Sequence, residues 1–320
     1  MRTGARWTAG VAATLVALVL AGATGAAPVP SSFVAVTTTA HGYAFSMRSA
    51  ASGAVVRTLG TIGGSFTDNG LALSPNGRDF YFTVVGPAPT RALEIEQLAV
   101  ASRRRTFVTD GEYPAVSPGG RSLAYVTGLR TLAIRNLRSR RTQSITLGAL
   151  LGTRDALATA PIAWVDGGAD LAVLTGPVPR RVSEAQPRVS GPCASGKRCL
   201  VIIRVGRGGI APQAFVLRSF TGAAVLSGSS ADPGSVLLAQ SGTSDVTTID
   251  QITPAGAATT VTQLASIPAA LPVAFAPGGG SLLYLKGANP PALWTAAVSS
   301  TGLVTPTRLV PRARLAGAAW

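Results

Sequence analysis

The stretch "YPAVSPGGRSLAYVTG", residues 113–128, contains a short apolar run, a Ser-Pro-Gly-Gly turn and a second apolar run. Similar stretches lie earlier, at "GLALSPNGRDFYFTVVG" (70–86), and later, at "LPVAFAPGGGSLLYLKG" (271–287). Proline fixes φ at the first corner of a tight turn, and glycine tolerates the positive φ that follows. Each stretch therefore predicts two β-strands joined by a tight turn.

The spacing of these turns predicts the architecture. Pro75 and Pro118 lie 43 residues apart, and Pro277 marks the last clear repeat. Two degenerate repeats between them, at 161–176 and 224–242, complete the series. A period of about forty residues with four strands in each unit is typical of β-propeller blades. The 37 glycines and 22 prolines also fit many short strands joined by turns.

Six blades account for the chain after its N-terminal segment. Blade one, at 31–60, lacks a first strand, and "RLAGAAW" (314–320) has the pattern of one. We expect this strand to join blade one and close the ring, because an open sheet edge leaves backbone groups unpaired. The other blades are expected at 66–108, 113–147, 161–217, 222–264 and 271–310. The predicted fold is all-β: one six-bladed propeller of four-stranded antiparallel blades over 27–320, after an N-terminal signal helix.

The repeats "LALSPNGRDFYF", "PAVSPGGRSLAYV" and "VAFAPGGGSLLYL" resemble the Ser-Pro-Asp-Gly repeats of TolB-like and WD-repeat-like propellers. The chain as a whole resembles exported actinobacterial propellers of this type. The resemblance implies the fold, with protein or polymer contacts on the two faces of the disc, and implies little about activity. The Asp of the motif is Asn76, Gly119 and Gly278 here, so we expect these turns to rely on glycine instead.

The first 26 residues have the pattern of a secretory signal. Arg2 and Arg6 precede an uncharged, largely apolar run at 9–21, and cleavage is expected near Ala26. If the segment is not cleaved, the run at 8–27 is long enough to span a membrane. The sequence therefore predicts a secreted or envelope-associated protein, with a membrane-anchored sensor domain as an alternative.

Two cysteines, Cys193 and Cys199, bracket "CASGKRC" at the end of an insertion at 176–199. In an oxidising compartment a disulfide is favoured over a metal site, because the single histidine, His41, is far away in sequence. The insertion is expected between the second and third strands of blade four. It is a candidate for partner binding or a tolerated loop.

Motifs for catalysis are sparse. No Gly-x-Ser-x-Gly pentapeptide occurs, and a catalytic triad would need His41, which we place on a turn or surface. Inward-pointing acidic side chains can hold calcium in a propeller channel. We interpret the candidates as solvated residues of the connections between blades: Asp68, Asn69, Asp110, Glu112 and Asp155. No catalytic residue, metal or cofactor is assigned, and a hydrolase or lyase with a site in the central channel stays open.

Arginine is distributed unevenly along the chain. The formal charge of +15 is what GC-rich coding produces without selection, and it is also what attracts polyanions. The turn between the third and fourth strands carries arginine in blades two, three and four, but reads "ASG", "PAGA" and "SSTG" elsewhere. First turns emerge on the same side of a blade. The candidate basic face comprises Arg78, Arg103, Arg104, Arg105, Arg121, Arg138, Arg140, Arg141 and Arg207.

These patterns favour a non-catalytic exported module for binding or scaffolding at the cell envelope. The expected partner is a protein, or an anionic envelope polymer or lipid surface. No specific nucleic acid is expected, because the arginine turns lack interleaved aromatic residues. A monomer is expected.

Overall fold

Twenty-four strands in the computed structural model pair into six four-stranded antiparallel sheets. The structure describes residues 30–89, 91–151, 158–176, 198–205, 212–220, 224–229, 231–241, 246–255, 258–287, 289–312 and 314–320. The predicted six-bladed propeller is confirmed, and the blades lie close to the positions that the turn spacing predicts.

Each blade contributes its strands in sequence order from the centre of the disc outward, except blade one. Blade one contains β1 (Ser32–Thr39), β2 (Gly42–Ser49) and β3 (Val55–Ile62). Blade two contains β4 (Phe66–Leu73), β5 (Asp79–Val85), β6 (Leu93–Ala99) and β7 (Arg105–Asp110). Blade three contains β8 (Glu112–Val116), β9 (Ser122–Thr127), β10 (Thr131–Asn136) and β11 (Thr142–Thr146), followed by the short helix α1 (Leu147–Leu151).

The second half of the chain continues the same plan. Blade four contains β12 (Ala158–Val165), β13 (Asp170–Thr175), β14 (Arg198–Arg204) and β15 (Gln213–Phe220). Blade five contains β16 (Ala224–Gly228), β17 (Val236–Ser241), β18 (Val246–Ala255) and β19 (Ala258–Pro268). Blade six contains β20 (Ala270–Phe275), β21 (Ser281–Lys286), β22 (Ala292–Ser299) and β23 (Gly302–Val310). Two 3₁₀ segments, Asp166–Gly168 and Pro277–Gly279, form the first turns of blades four and six.

The last strand, β24 (Leu315–Ala319), closes the ring as predicted. It pairs antiparallel with β1, with Val34 opposite Ala319 and Val36 opposite Gly317. This pairing removes the open sheet edge that blade one would otherwise present at the centre of the disc.

Apolar side chains fill the spaces between neighbouring blades. Phe45 of blade one packs against Phe80 and Phe82 of blade two, with ring centroids 5.6 and 4.9 Å apart. Phe33 packs against Trp320 at the closure, with centroids 5.7 Å apart. Since side chains of a strand alternate between its two sides, each blade buries one row against each neighbour.

The Ser-Pro turns have the predicted tight geometry. In blade two, Gly77 adopts a φ of 67° and its N–H donates to Ser74 O at 2.8 Å. Ser74 Oγ accepts a hydrogen bond from Asp79 N–H at 2.9 Å, and Asn76 Oδ1 accepts one from Arg78 N–H at 3.0 Å. The expectation that this turn relies on glycine alone is therefore wrong for blade two, because the asparagine side chain also bonds the turn.

The first and third turns of a blade emerge on the same side of the disc, as predicted. In blade two, Val100 N–H in the third turn donates to Arg78 O in the first turn at 2.8 Å. In blade three, Leu137 N–H donates to Arg121 O at 2.9 Å. The second turns and the connections between blades lie on the opposite side.

Several predicted features lie outside the described residues: the signal segment at 1–26, most of the insertion, Cys193, Asp155 and Arg207. The place of the insertion is confirmed, since β13 and β14 flank it. Cys199 is buried on β14, and its disulfide with Cys193 stays a prediction. Within the described ranges, no helix has both the length and the apolar character needed to cross a membrane.

Candidate functional site

The candidate site is the arginine face, the side of the disc formed by the first and third turns of blades two and three. Eight of the nine predicted arginines are described, and all eight are exposed: Arg78, Arg103, Arg104, Arg105, Arg121, Arg138, Arg140 and Arg141. The structure brings the arginines of each blade together, because each third turn is hydrogen-bonded to the first turn beside it. Arg207, expected to extend this face into blade four, is not among the described residues.

The third turn of blade two has a defined geometry over residues 99–104. Ala99 N–H donates to Arg104 O at 2.9 Å, and Arg103 N–H donates to Ala99 O at 2.7 Å. Ser102 Oγ accepts a hydrogen bond from Arg104 N–H at 3.4 Å. Arg103 has a φ of 58°, in the left-handed region that favours glycine. Two consecutive arginines therefore occupy the point where the chain reverses direction.

Blade three repeats this turn over residues 136–141. Asn136 N–H donates to Arg141 O at 2.8 Å, Arg140 N–H donates to Asn136 O at 2.8 Å, and Arg140 has a φ of 59°. Ser139 Oγ accepts from Arg141 N–H at 3.5 Å. Arginine thus occupies three equivalent positions in both blades: before the second strand (Arg78, Arg121), at the left-handed residue (Arg103, Arg140) and directly after it (Arg104, Arg141).

Blade one contains the same turn without charge, over residues 49–54. Ser49 N–H donates to Ala54 O and Gly53 N–H donates to Ser49 O, both at 2.9 Å, and Gly53 has a φ of 69°. Ala50 N–H donates to Ser31 O at 2.9 Å, so Ser31 takes the position that arginine holds before the second strand in blades two and three. The third turns of the three blades therefore have the same backbone conformation, but only those of blades two and three carry charged side chains.

The left-handed arginines occupy the least expected position of these turns. A left-handed backbone costs an L-residue other than glycine about 1 kcal/mol or more. A turn that merely tolerates arginine would place it at the ordinary positions and keep glycine or asparagine at this one. Arg103 and Arg140 occupy the costly position at the same place in two adjacent blades. Five other described residues besides glycine are also left-handed: Arg91, Tyr113, Leu129, Ala269 and Thr305. What distinguishes the arginine pair is therefore its repetition at equivalent positions.

Two arginines near these turns have partners within the protein. Arg48 Nη1 donates to Gly53 O at 2.8 Å, and burial lowers the pKa of this guanidinium. Arg105 pairs with Glu96 at 2.5 Å and lies 5.9 Å from the ring centroid of Phe82. The other seven exposed arginines have no acidic partner among the described residues: Arg78, Arg103, Arg104, Arg121, Arg138, Arg140 and Arg141. Their charge is therefore available to a ligand.

The centre of the disc contains a cavity of about 570 Å³ bounded by the innermost strands. Its lining includes Leu71, Val116, Ile162, Val225 and Val273. Every described residue that lines it is uncharged. The described wall therefore offers backbone, apolar and neutral polar groups, the last including Tyr113 and Ser227, without a carboxylate or imidazole for acid–base chemistry.

The acidic candidates do not form a site in the described part of the chain, where no group of three or more His, Cys, Asp or Glu residues could hold a metal ion. Asp110 is exposed, as expected, but it is the last residue of β7 and not part of a connection. His41 is exposed in the turn between β1 and β2, as expected. Asp68 and Asn69 lie within β4, so their assignment to a connection is wrong. Glu112 is buried in β8, contrary to prediction, because Gly111 alone separates β7 from β8 and the connection is too short to hold it.

Sequence reasoning missed Arg57 on the outermost strand of blade one. Its Nη2 donates to Ala101 O, in the arginine turn of blade two, at 3.5 Å. The residue lies in an ordinary strand pattern, "VVRTLG", which carries no cluster of charge. Only the packing of blade one beside blade two reveals that this arginine extends the arginine face.

Comparison with known proteins gives a likeness in structure. No family model matches the chain, and no curated protein matches its sequence. TolB from Acinetobacter baumannii superposes with a TM-score of 0.56 at 14% identity, over 90% of this chain and 65% of that one. This chain therefore spans less than two thirds of the length of that TolB.

Two further propellers are similar. A putative TolB from Agrobacterium tumefaciens has a TM-score of 0.52 at 12% identity, over 88% of this chain and 89% of that one. The β-propeller domain of Cps50 (Swd1) from Myceliophteria thermophila has a TM-score of 0.51 at 13% identity, over 88% and 87%. The resemblance to TolB-like and WD-repeat propellers is thereby confirmed for the fold, which hosts many functions.

Proposed function

We propose that the chain is a non-catalytic binding module of the cell envelope that docks through its arginine face on a polyanionic surface. The observation that carries the proposal is the repetition of arginine at three equivalent positions of two adjacent blades. One of these positions is left-handed in both blades, with φ of 58° at Arg103 and 59° at Arg140, where arginine costs stability. Residues kept at such a cost are expected to act on something outside the fold.

The charges support long-range attraction to an anion. Seven exposed arginines without acidic partners among the described residues lie on two neighbouring blades. A cluster of one sign raises the local concentration of an oppositely charged partner and speeds its association. The planar guanidinium also matches the oxygen pairs of carboxylate and phosphate groups. The expected partner therefore carries many phosphates or carboxylates.

The central cavity supports binding over catalysis. Its described lining is uncharged, and a hydrolase or lyase needs converging acid, base or electrophilic groups around its substrate. The described residues place charge on both faces of the disc, repeated at equivalent turns on one of them, and leave the lining of the centre without it. The location at the envelope rests on the N-terminal signal pattern.

The test is salt-dependent binding with a matched charge control. We expect the purified protein to bind polyphosphate resin and cell-wall fragments at low salt, and to dissociate as salt rises because the Debye length shortens. Replacing Arg103, Arg104, Arg140 and Arg141 by the glycine and alanine of blade one should lower the affinity by about 1,000-fold at low salt, since each charge near such a surface is worth about 1 kcal/mol.

The control removes four exposed arginines from the opposite face: Arg91, Arg130, Arg312 and Arg314, each replaced by serine. Both variants lose the same net charge. If the two lose affinity equally, the attraction comes from total charge and the arginine face is not a site. If the unaltered protein binds no polyanion at low salt, the proposal is wrong.

A further inference from the structure

Exposed apolar side chains accompany the arginine face. Phe107 is 60% exposed and Val56 is 63% exposed. Both lie within the first three residues of an outermost strand that follows a third turn, and so on the outer edge of the disc. Val56 lies two residues after the turn of blade one, and Phe107 lies three residues after Arg104, opposite Glu96. The described exposed apolar residues of the outermost strands are Val55 and Val56 on β3, Phe107 on β7, Val261 on β19 and Val304 on β23.

The apolar residues of blades one and two flank the arginine turn of blade two. Val56 precedes Arg57, whose Nη2 reaches Ala101 O in that turn at 3.5 Å. Phe107 lies two residues after Arg105 and therefore on the same side of β7. A strip of apolar and cationic side chains thus crosses from the edge of blade one to blade two.

We infer that the surface docked by the arginine face is an anionic lipid bilayer, with Val55, Val56 and Phe107 inserted among the headgroups. The inference rests on the proposed function and specifies its partner. Arginines bind lipid phosphates, and apolar side chains beside them gain free energy on leaving water for the interface. A hydrated wall polymer provides phosphates but no apolar layer, so it leaves these three side chains without a role.

A second copy of the chain fits this strip less well. A two-fold interface brings the same patch of both copies together. The seven arginines without acidic partners would then face their own equivalents, and like charges brought together oppose association. A bilayer with anionic headgroups complements the charge and the apolar side chains together.

The experiment separates lipid insertion from simple charge attraction. The full chain is sedimented with vesicles of phosphatidylcholine, with vesicles that also contain phosphatidylglycerol, and separately bound to soluble polyphosphate. A Val56→Ser, Phe107→Ser variant should bind the anionic vesicles about tenfold less tightly, because it loses apolar burial. It should bind polyphosphate as the unaltered protein does.

The matched control is a Val261→Ser, Val304→Ser variant, which removes two exposed valines from the outermost strands of blades five and six, away from the arginine turns. It should bind vesicles normally. In a Phe107→Trp variant, the added fluorescence should be quenched by brominated acyl chains in anionic vesicles. These results together support insertion.

Three outcomes overturn the inference. Equal vesicle binding by the Val56→Ser, Phe107→Ser variant, or no quenching, means that the strip does not enter the bilayer; the proposed function then stands if polyphosphate is still bound. A dimer in solution that this variant abolishes assigns the strip to a second copy. Failure of the unaltered protein to bind any anion removes the proposed function as well.

Discussion

The third turns of blades one, two and three have the same backbone conformation. They differ in the residues that surround the left-handed position. In all three the fifth residue is left-handed, with φ of 69° at Gly53, 58° at Arg103 and 59° at Arg140. A Cβ at Gly53 would lie 2.4 Å from Leu309 O of blade six, so only glycine fits there. Arg103 and Arg140 are exposed to solvent. The packing of blade one against blade six therefore requires glycine at position 53. No such contact among the described residues restricts the side chain at positions 103 and 140.

This difference separates a residue that the fold requires from residues that the fold does not require. Glycine in blade one is required by both the backbone and the neighbouring chain. In blades two and three the backbone alone favours glycine, and arginine stands there against that preference. An explanation that invokes only a GC-rich genome accounts for many arginines, but not for their return to the least favourable position of a repeated turn.

The largest effect is expected from converting both arginine turns to the blade-one sequence. The variant carries Arg78→Ser, Arg103→Gly, Arg104→Ala, Arg121→Ser, Arg138→Ala, Arg140→Gly and Arg141→Ala. Affinity for anionic vesicles at low salt should fall at least about 10,000-fold, because each of the seven lost charges removes about 1 kcal/mol before screening. Vesicle sedimentation measures the affinity. A loss below tenfold would mean that the arginines of these turns do not bind the vesicle surface.

The next effect concerns the packing that confines Gly53. Gly53→Ala should destabilise the fold by about 3 kcal/mol, because it adds left-handed strain and a contact with the backbone of Leu309. The matched control is Gly77→Ala, which has a φ of 67° but nothing within 4 Å of its added Cβ. That change should cost about 1 kcal/mol. Urea unfolding measures both, and equal costs would mean that the neighbouring blade does not constrain this turn.

A smaller effect of opposite sign is expected at the left-handed arginines. Arg103→Gly and Arg140→Gly should each stabilise the fold by up to about 1 kcal/mol, because glycine relieves the backbone strain. The same changes should weaken anion binding. Arg104→Gly is the control, since Arg104 has no left-handed backbone to relieve and should lose stability. If Arg103→Gly and Arg104→Gly move the urea midpoint in the same direction, the positive φ carries no cost.

The sequence predicts the fold because its turns are local. The spacing of Pro75, Pro118 and Pro277 sets the blade period, and "RLAGAAW" has the pattern of the missing inner strand. The described arginines assigned to third turns are found there for the same reason, except Arg105, which is the first residue of β7. The position of a turn depends on residues close together in the sequence, so the sequence alone predicts which residues lie in it.

The rest depends on register and on neighbouring blades. The sequence does not show that Gly53, Arg103 and Arg140 are equivalent, because their left-handed backbone follows from hydrogen bonds across the turn. Val56 is exposed at an irregularity in the β2–β3 pairing, between the partners of Met47 and Arg48. Strict alternation along the strand cannot locate such a shift.

The smallest effect tests which arginines count. Arg105 is paired with Glu96 at 2.5 Å, whereas Arg104 beside it has no acidic partner among the described residues. Replacing both Arg105 and Glu96 by glutamine leaves the net charge unchanged, so vesicle binding should change by less than about twofold, and an exposed pair contributes at most about 1 kcal/mol to stability. Arg104→Gln removes one free charge and should weaken binding about fivefold. If the neutral double variant loses as much affinity as Arg104→Gln, Arg105 binds the surface directly, and the free charge would extend from the turn onto the outermost strand of blade two.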